Sequence, residues 1–263
     1  MKKKLYWQLP FLLFLIIGTV VIVRQQRSTP YQHDEGQVFG TFYHITYQND
    51  SSLNNEILAE LAKVDSALSM FNKESIISRI NKGENVETNE MFNTVFSLAE
   101  DIADNTNGAF DITVAPLVNA WGFGFKTGNP PNKATIDSLR SVVGYKKVSL
   151  KNNHISKTDP RVMLDCSAIA KGYGCDVVAA LLRRHGIDNY LVEIGGEVVA
   201  KGISEKRLPW KIGVTKPSDD SLAVDKELQT VLNVKNMAMA TSGNYRNFYY
   251  KNGKKYAHTI DPK

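Results

Sequence analysis

One stretch limits the fold of this chain more than any other: D-C-S-A-I-A-K-G-Y-G-C-D at Asp165 to Asp176, followed about one helix later by V-E-I-G-G-E-V at Val192 to Val198. The apolar run Val162-Met163-Leu164 reads as the end of a strand, Arg161 to Leu164, that delivers a carboxylate, Asp165, to a turn. Small residues then open a helix, expected over Ala168 to His185, with Lys171 in its first turn. Free N–H groups and the positive dipole end at a helix start favour anions, and small side chains at Ser167, Ala168 and Gly172 allow close approach to the backbone. The pattern suits a phosphate, yet neither GxxxxGK(S/T) nor GxGxxG is present, which disfavours the two best-known nucleotide loops. On the residues alone, Asp165 as a plain helix cap and Lys171 as a solvated helix residue remain open alternatives.

With 263 residues, 43% hydrophobic and 22% charged, the chain can bury a sizeable core in one large domain or two small ones, and it is neither disordered nor fibrous. The formal charge of +5 is spread along the sequence without a basic stripe or an RNA-binding motif, so no nucleic-acid partner is expected. Cys166 and Cys175 are the two cysteines; without a CxxC motif or Cys/His metal spacing they read as small buried thiols.

The amino terminus is physically distinct. Lys2, Lys3 and Lys4 precede an apolar run from Leu5 to Val23, close to the roughly 20 residues that span a bilayer. The cations in front place the amino terminus in the cytoplasm and the body outside. No small-x-small cleavage site and no terminal cysteine follow the run, so residues 1–24 are expected to be an uncleaved single-pass anchor in the cell's inner membrane, with the body on the extracytoplasmic, periplasmic side. Residues 25–36 read as a polar linker, and residues 37–263 as one body.

Within that body, Gln37 to Gln48 reads as a strand or hairpin arm. A helix follows Ser51, with Ile57, Leu58, Leu61, Val64 and Leu68 at helical spacing. A short helix covers Ser75 to Ile80, and a third starts near Thr88 or Asn89, buries Val95, Leu98 and Ile102, and stops at Asn107-Gly108. Thr135 to Val143 is a short helix, and strands are expected at Lys147 to Leu150, His154 to Lys157, Tyr190 to Ile194, Val198 to Lys201, Trp210 to Thr215, Leu228 to Val234 and Tyr245 to Tyr250. Helices first, strands later and few parallel crossovers make the fold class α+β.

The Asp165–Asp176 string with the later I-G-G-E, the earlier G-A-F-D-I-T-V-A-P-L-V-N-A-W-G-F and the terminal H-T-I-D-P resembles the ApbE family, the FAD:protein FMN transferases. These motifs stand in family order and span most of the chain after about Gly36. The resemblance implies a T-fold-like, two-lobed body of helices and largely antiparallel sheet behind the transmembrane helix. It also implies a Mg²⁺-dependent transfer of FMN from FAD to a Ser or Thr hydroxyl of an extracytoplasmic protein, with release of AMP. The family's usual acceptors are subunits of Na⁺-translocating NADH:quinone oxidoreductases and related electron-transfer complexes. FAD pyrophosphatase activity and a non-catalytic, membrane-tethered FAD-binding protein are the alternatives.

By position, the resemblance gives the metal the backbone carbonyl of Ala168 and the carboxylate of Asp261, and gives FAD contacts to Asp165 and Lys171. His258 and Asp261 are the expected catalytic pair, since a neutral imidazole accepts a hydroxyl proton near physiological pH. His33, His44, His154 and His185 are read as structural. Ala109, Phe110 and Asp111 match the family's G-A-F-D turn, which lines a planar ligand with backbone groups and an apolar ring. Phe71 stands where relatives commonly have Tyr, before S-x-x-S-R-x-N at Ser75 to Asn81, and Phe39 where they usually have Met; core packing is the competing reading for both. Gly195, Gly196 and Glu197 are expected to form a tight turn supporting the site. The family pattern runs on past H-T-I-D-P, so a further metal ligand and closing strands are expected beyond Lys263.

Overall fold

The computed structural model describes residues 10–19, 29–124, 130–217, 227–244 and 247–263. Its main sheet begins with a hairpin, β1 (Tyr31–Val38) and β2 (Thr41–Gln48), turned by two residues in the left-handed region, Phe39 at φ 52° and Gly40 at φ 72°. Such two-residue turns match the twist of the flanking strands. β1 starts at Tyr31, inside the stretch read as linker. Its polar composition gave no strand signal, and full pairing with β2, from Tyr31 opposite Gln48 to Val38 opposite Thr41, supplies the order.

Five strands make this sheet in the order β1-β2-β5-β6-β9, all antiparallel, with β5 at Tyr190–Ile194, β6 at Glu197–Lys201 and β9 at Met237–Met239. Tyr43, Ile45 and Tyr47 on β2 and Tyr190, Val192 and Ile194 on β5 point to one face and are buried. Helices α2 (Asn54–Leu68) and α7 (Ser167–Arg184) cover that face with Ile57, Leu61, Cys175, Val178, Ala179 and Leu182. A second core lies between α2, α3 (Ile76–Asn81), α4 (Glu90–Asn105) and the chain leading into Cys166. Phe39 packs against both cores. Its ring fills the space above Gly174, where an added Cβ would lie 2.9 Å from Phe39 Cε2. Phe39 is therefore a packing residue at the hairpin tip, and its contacts offset the roughly 1–2 kcal/mol that a non-glycine residue loses in the left-handed region.

The apolar stripe of α4 is rotated from the expected one. Phe92, Val95, Phe96, Ala99 and Ala103 are buried, whereas Leu98 is 48% exposed. Leu58 on α2 is likewise exposed. Several residues on each helix fit a 3.6-residue period, and only the neighbouring elements choose which arc faces in. Asn89 caps α4 by accepting from the Phe92 N–H.

Shorter elements complete the body: helices α5 (Ala115–Ala120) and α6 (Lys133–Arg140), and the two-stranded ribbons β3–β4 (Val148–Lys151, His154–Lys157), β7–β8 (Trp210–Thr215, Leu228–Val234) and β10–β11 (Phe248–Lys251, Lys254–Ala257). Residues 10–19 form a helix, α1, whose apolar side chains from Phe11 to Ile17 are exposed. Among the described residues no helix is long and apolar enough to cross a membrane. The rest of the Leu5–Val23 run lies outside them.

Candidate functional site

Asp165 is set in place by backbone rather than by a strand. The expected strand at Arg161 to Leu164 reduces to a single parallel bridge between Val114 and Met163. Two side-chain bonds from Asn81 take over the work of a ladder: Asn81 Nδ2 donates to the Leu164 carbonyl at 2.8 Å, and the Leu164 N–H donates to Asn81 Oδ1 at 2.7 Å. The Asp165 N–H then donates to the Ile112 carbonyl at 2.7 Å, which ties Asp165 to the G-A-F-D-I turn. Asp165 Oδ1 accepts the Ser167 N–H at 2.7 Å, a local turn that leads the chain into α7, whose N-cap is Cys166.

α7 begins at Ser167, which makes Lys171 its fifth residue and puts it in the second turn rather than the first. Lys171 Nζ donates to Glu197 Oε1 at 2.8 Å in a half-buried ion pair. Glu197 opens β6, directly opposite Ile194 in the ladder, after a turn in which Gly195 and Gly196 have φ of 59° and 98°. Glycine is required at 195 twice over, by that φ and because a Cβ would lie 2.8 Å from Thr41 Cγ2 and 3.0 Å from Lys171 Cδ. Glu193 clamps the same turn: its Oε1 accepts the Gly196 N–H at 2.6 Å while its Oε2 faces His44 Nδ1 at 2.6 Å. The expected supporting role of the G-G-E turn is thus joined by a direct hold on Lys171.

The H-T-I-D-P segment leaves β11 and is tied to the loop after β9. Thr259 Oγ1 donates to Asn244 Oδ1 at 2.5 Å, and the His258 N–H donates to the Asn247 carbonyl at 3.2 Å. That loop returns to the glycine turn, since Thr241 Oγ1 lies 3.7 Å from where a Cβ on Gly196 would sit. His258 Nδ1 also lies 3.2 Å from the Asn247 carbonyl. A carbonyl only accepts, so in the neutral ring this contact favours the tautomer with its proton on Nδ1 and its lone pair on Nε2. The exposed Asp261 accepts the Lys263 N–H at Oδ1, 3.0 Å away.

The far end of this segment meets the G-A-F-D turn. A cleft of about 340 Å³ is lined by Asn107, Gly108, Asp111, Tyr145, Pro262 and Lys263, among others. In the turn itself Ala109 is exposed and Phe110 half-buried. Asp111 itself is only 7% exposed, and its carboxylate belongs to the protein. Oδ1 accepts the Thr113 N–H and hydroxyl at 2.7 and 2.6 Å, and Oδ2 accepts the Tyr145 N–H at 2.8 Å. Asp111→Ala strands three donors and should lower stability by about 3 kcal/mol in urea unfolding; a loss below about 1 kcal/mol would show that the knot does not hold the turn.

Phe71 sits on the turn between α2 and α3, 69% exposed, and is no core residue. Ser75 and Ser78 hydroxyls donate to the Ser69 carbonyl and fix that turn. Cys166 and Cys175 are free and buried, and burial pushes both thiols up to about 12, which leaves them unreactive as nucleophiles.

The expected metal ligands are two hard oxygens. Ala168 is exposed in the first turn of α7, and Asp261 keeps Oδ2 clear of protein hydrogen bonds among the described residues. Among those residues no group of three or more His, Cys, Asp or Glu is placed to hold a metal. Hard oxygens are the donor type that Mg²⁺ takes, commonly one or two from the protein with the rest from substrate phosphate and water. Reasoning from sequence missed four contributors: Asn81, the ion-pairing role of Glu197, Thr241 and Asn244. Asn81 carried a signal as the last residue of S-x-x-S-R-x-N, and Glu197 as the end of I-G-G-E, though neither motif gave the partner.

Fold and site together define an antiparallel α+β protein with a carboxylate at the entry to α7, a lysine tethered to the glycine turn, and a histidine-carboxylate segment whose end, Pro262 and Lys263, lines a cleft with the G-A-F-D turn. The chain belongs to the ApbE family, whose model matches residues 39–263. The FAD:protein FMN transferase of Haemophilus influenzae is 39% identical over 256 residues, covering 90% of this chain and 73% of that protein. The Escherichia coli K12 protein of the same name is 32% identical over 242 residues, 87% of this chain and 68% of that protein. Among solved structures, the flavin transferase ApbE from Vibrio cholerae superposes with a TM-score of 0.78 at 36% identity, covering 89% of this chain and 76% of that one.

Proposed function

We infer that this protein transfers the FMN part of FAD to a Ser or Thr hydroxyl of another protein and releases AMP. Family membership sets the reaction class, and the observation that supports the site assignment is the contact of His258 Nδ1 with the Asn247 carbonyl, which in the neutral ring leaves Nε2 for the part of a base. In the step proposed, the acceptor oxygen attacks the FMN phosphorus, the bond from that phosphorus to the AMP oxygen breaks, and the hydroxyl proton passes to His258 Nε2. Lys171 and the start of α7 receive the pyrophosphate, and Phe71 and the Ala109–Asp111 turn border the flavin or adenine. Ala168 and Asp261 would hold Mg²⁺, which when bound offsets charge on the phosphates.

The acceptor is proposed to be an extracytoplasmic subunit of a sodium-pumping NADH:quinone oxidoreductase or a related complex, with the Leu5–Val23 run anchoring the body beside it. The test combines the protein, FAD, Mg²⁺ and such an acceptor. Flavin bound covalently to the acceptor, with stoichiometric AMP, is the expected result. Free FMN with AMP would make it a pyrophosphatase, and FAD binding with neither product would make it a carrier. For topology, protease added to spheroplasts is expected to digest the body after Gly36 while the anchor stays in salt-washed membranes. Protection until the membrane is permeabilised would reverse the orientation.

A further inference from the structure

Two carboxylates near the site are used in opposite ways. Asp111 is spent on three hydrogen bonds that knot its turn together. The side chain of Glu197 has Lys171 as its partner through Oε1, while its Oε2 is buried without a hydrogen bond. A carboxylate placed for stability alone would satisfy both oxygens, because an unmatched buried charged oxygen is costly. Glu197 is nevertheless mounted rigidly: its backbone is in the ladder opposite Ile194, its carbonyl accepts the Cys175 S–H at 3.3 Å, and Glu193 clamps the preceding turn.

We propose that Glu197 is a positioning residue for the transfer reaction, fixing the direction in which Lys171 presents its ammonium to the substrate pyrophosphate. The glycine at 195 is part of the same device. With no side chain there, the Lys171 stem lies against the turn, 3.0 Å from the Cβ that any other residue would add. A lysine stem has four rotatable carbons, and an anchored ammonium enters the transition state without losing that freedom. The pairing also limits charge. A paired Lys171 is a dipole rather than a full cation, so it orients a phosphate without gripping the ground state, and both products, each carrying phosphate, leave more readily.

This inference rests on Lys171 facing the FAD phosphates, and a double-mutant cycle tests it on two readouts, FAD affinity by flavin fluorescence and AMP release. Glu197→Gln should leave the FAD dissociation constant within about threefold of the parent protein while turnover falls about tenfold. Lys171→Ala should weaken FAD binding at least about tenfold, because the unpaired Glu197 carboxylate then repels the phosphates. Adding Glu197→Ala to Lys171→Ala should recover at least about threefold of that affinity, a rescue that a purely structural glutamate would not give. Additive losses in the double variant, or unchanged turnover in Glu197→Gln, would overturn the proposal. Thermal melts of each variant exclude unfolding as the cause. Binding that follows the cycle with no AMP from the parent protein would leave the coupling of Lys171 and Glu197 at a phosphate site standing and sink the transferase reading, and with it the role in transfer. A parent protein that fails to bind FAD would sink both.

Discussion

Asp261→Ala is expected to reduce AMP release from FAD by roughly a thousandfold or more, with the melting temperature nearly unchanged. The size follows from the role. A metal at the pyrophosphate supplies several kcal/mol of charge stabilisation in the transition state, and each 1.4 kcal/mol is a factor of about ten in rate. The small cost to the fold follows from the structure, in which Asp261 is exposed and, among the described residues, bonds locally to the Lys263 N–H two residues on. EDTA treatment of the unaltered protein should reproduce the loss, and added Mg²⁺ should reverse it there but not in the variant. AMP release within threefold of the parent protein under both treatments would remove Asp261 and the metal from the reaction.

His258→Ala is expected to cut turnover about a hundredfold or more, the usual loss of a general base, while FAD affinity changes less than twofold. The split between rate and binding is the informative part. His258 is exposed, its Nδ1 lies against the Asn247 carbonyl, and its ring meets Phe123 edge-on with centroids 6.5 Å apart, so its removal takes away no buried side chain. Stopped-flow binding with single-turnover AMP release separates the two quantities. Equal losses in both would make His258 a ligand-positioning residue.

Much of the scaffold was legible before any coordinates. The strand boundaries at Tyr190–Ile194, Trp210–Thr215 and Leu228–Val234 follow from apolar and β-branched runs between turn residues, and the structure keeps them. The α4 boundary follows from Asn89, which needs only its own side chain and the Phe92 N–H to cap a helix. Arg161 to Leu164 misled because an apolar run says that a segment is buried, not that it is paired in a sheet. Here Asn81 and Ile112 satisfy the backbone instead. β1 misled in the opposite sense, since Tyr31 to Gly36 has no apolar alternation and owes its order to β2.

The sequence by itself determined the class of this protein: motif order from Phe39 onward, a helix start flanked by Asp165 and Lys171, and a histidine three residues before Asp261. Those features are local, because a cap, a glycine turn or a helix dipole acts over a few bonds of chain. Tertiary structure alone decided what each charged group is for. Asp111 and Glu197 are both plain carboxylates in the sequence, yet one is closed into a knot with Thr113 and Tyr145 and the other is held 2.8 Å from Lys171 across 26 residues of chain. Coulombic and hydrogen-bond energies depend on separation in space, and antiparallel pairing of β5 with β6, packed on α7, sets that separation.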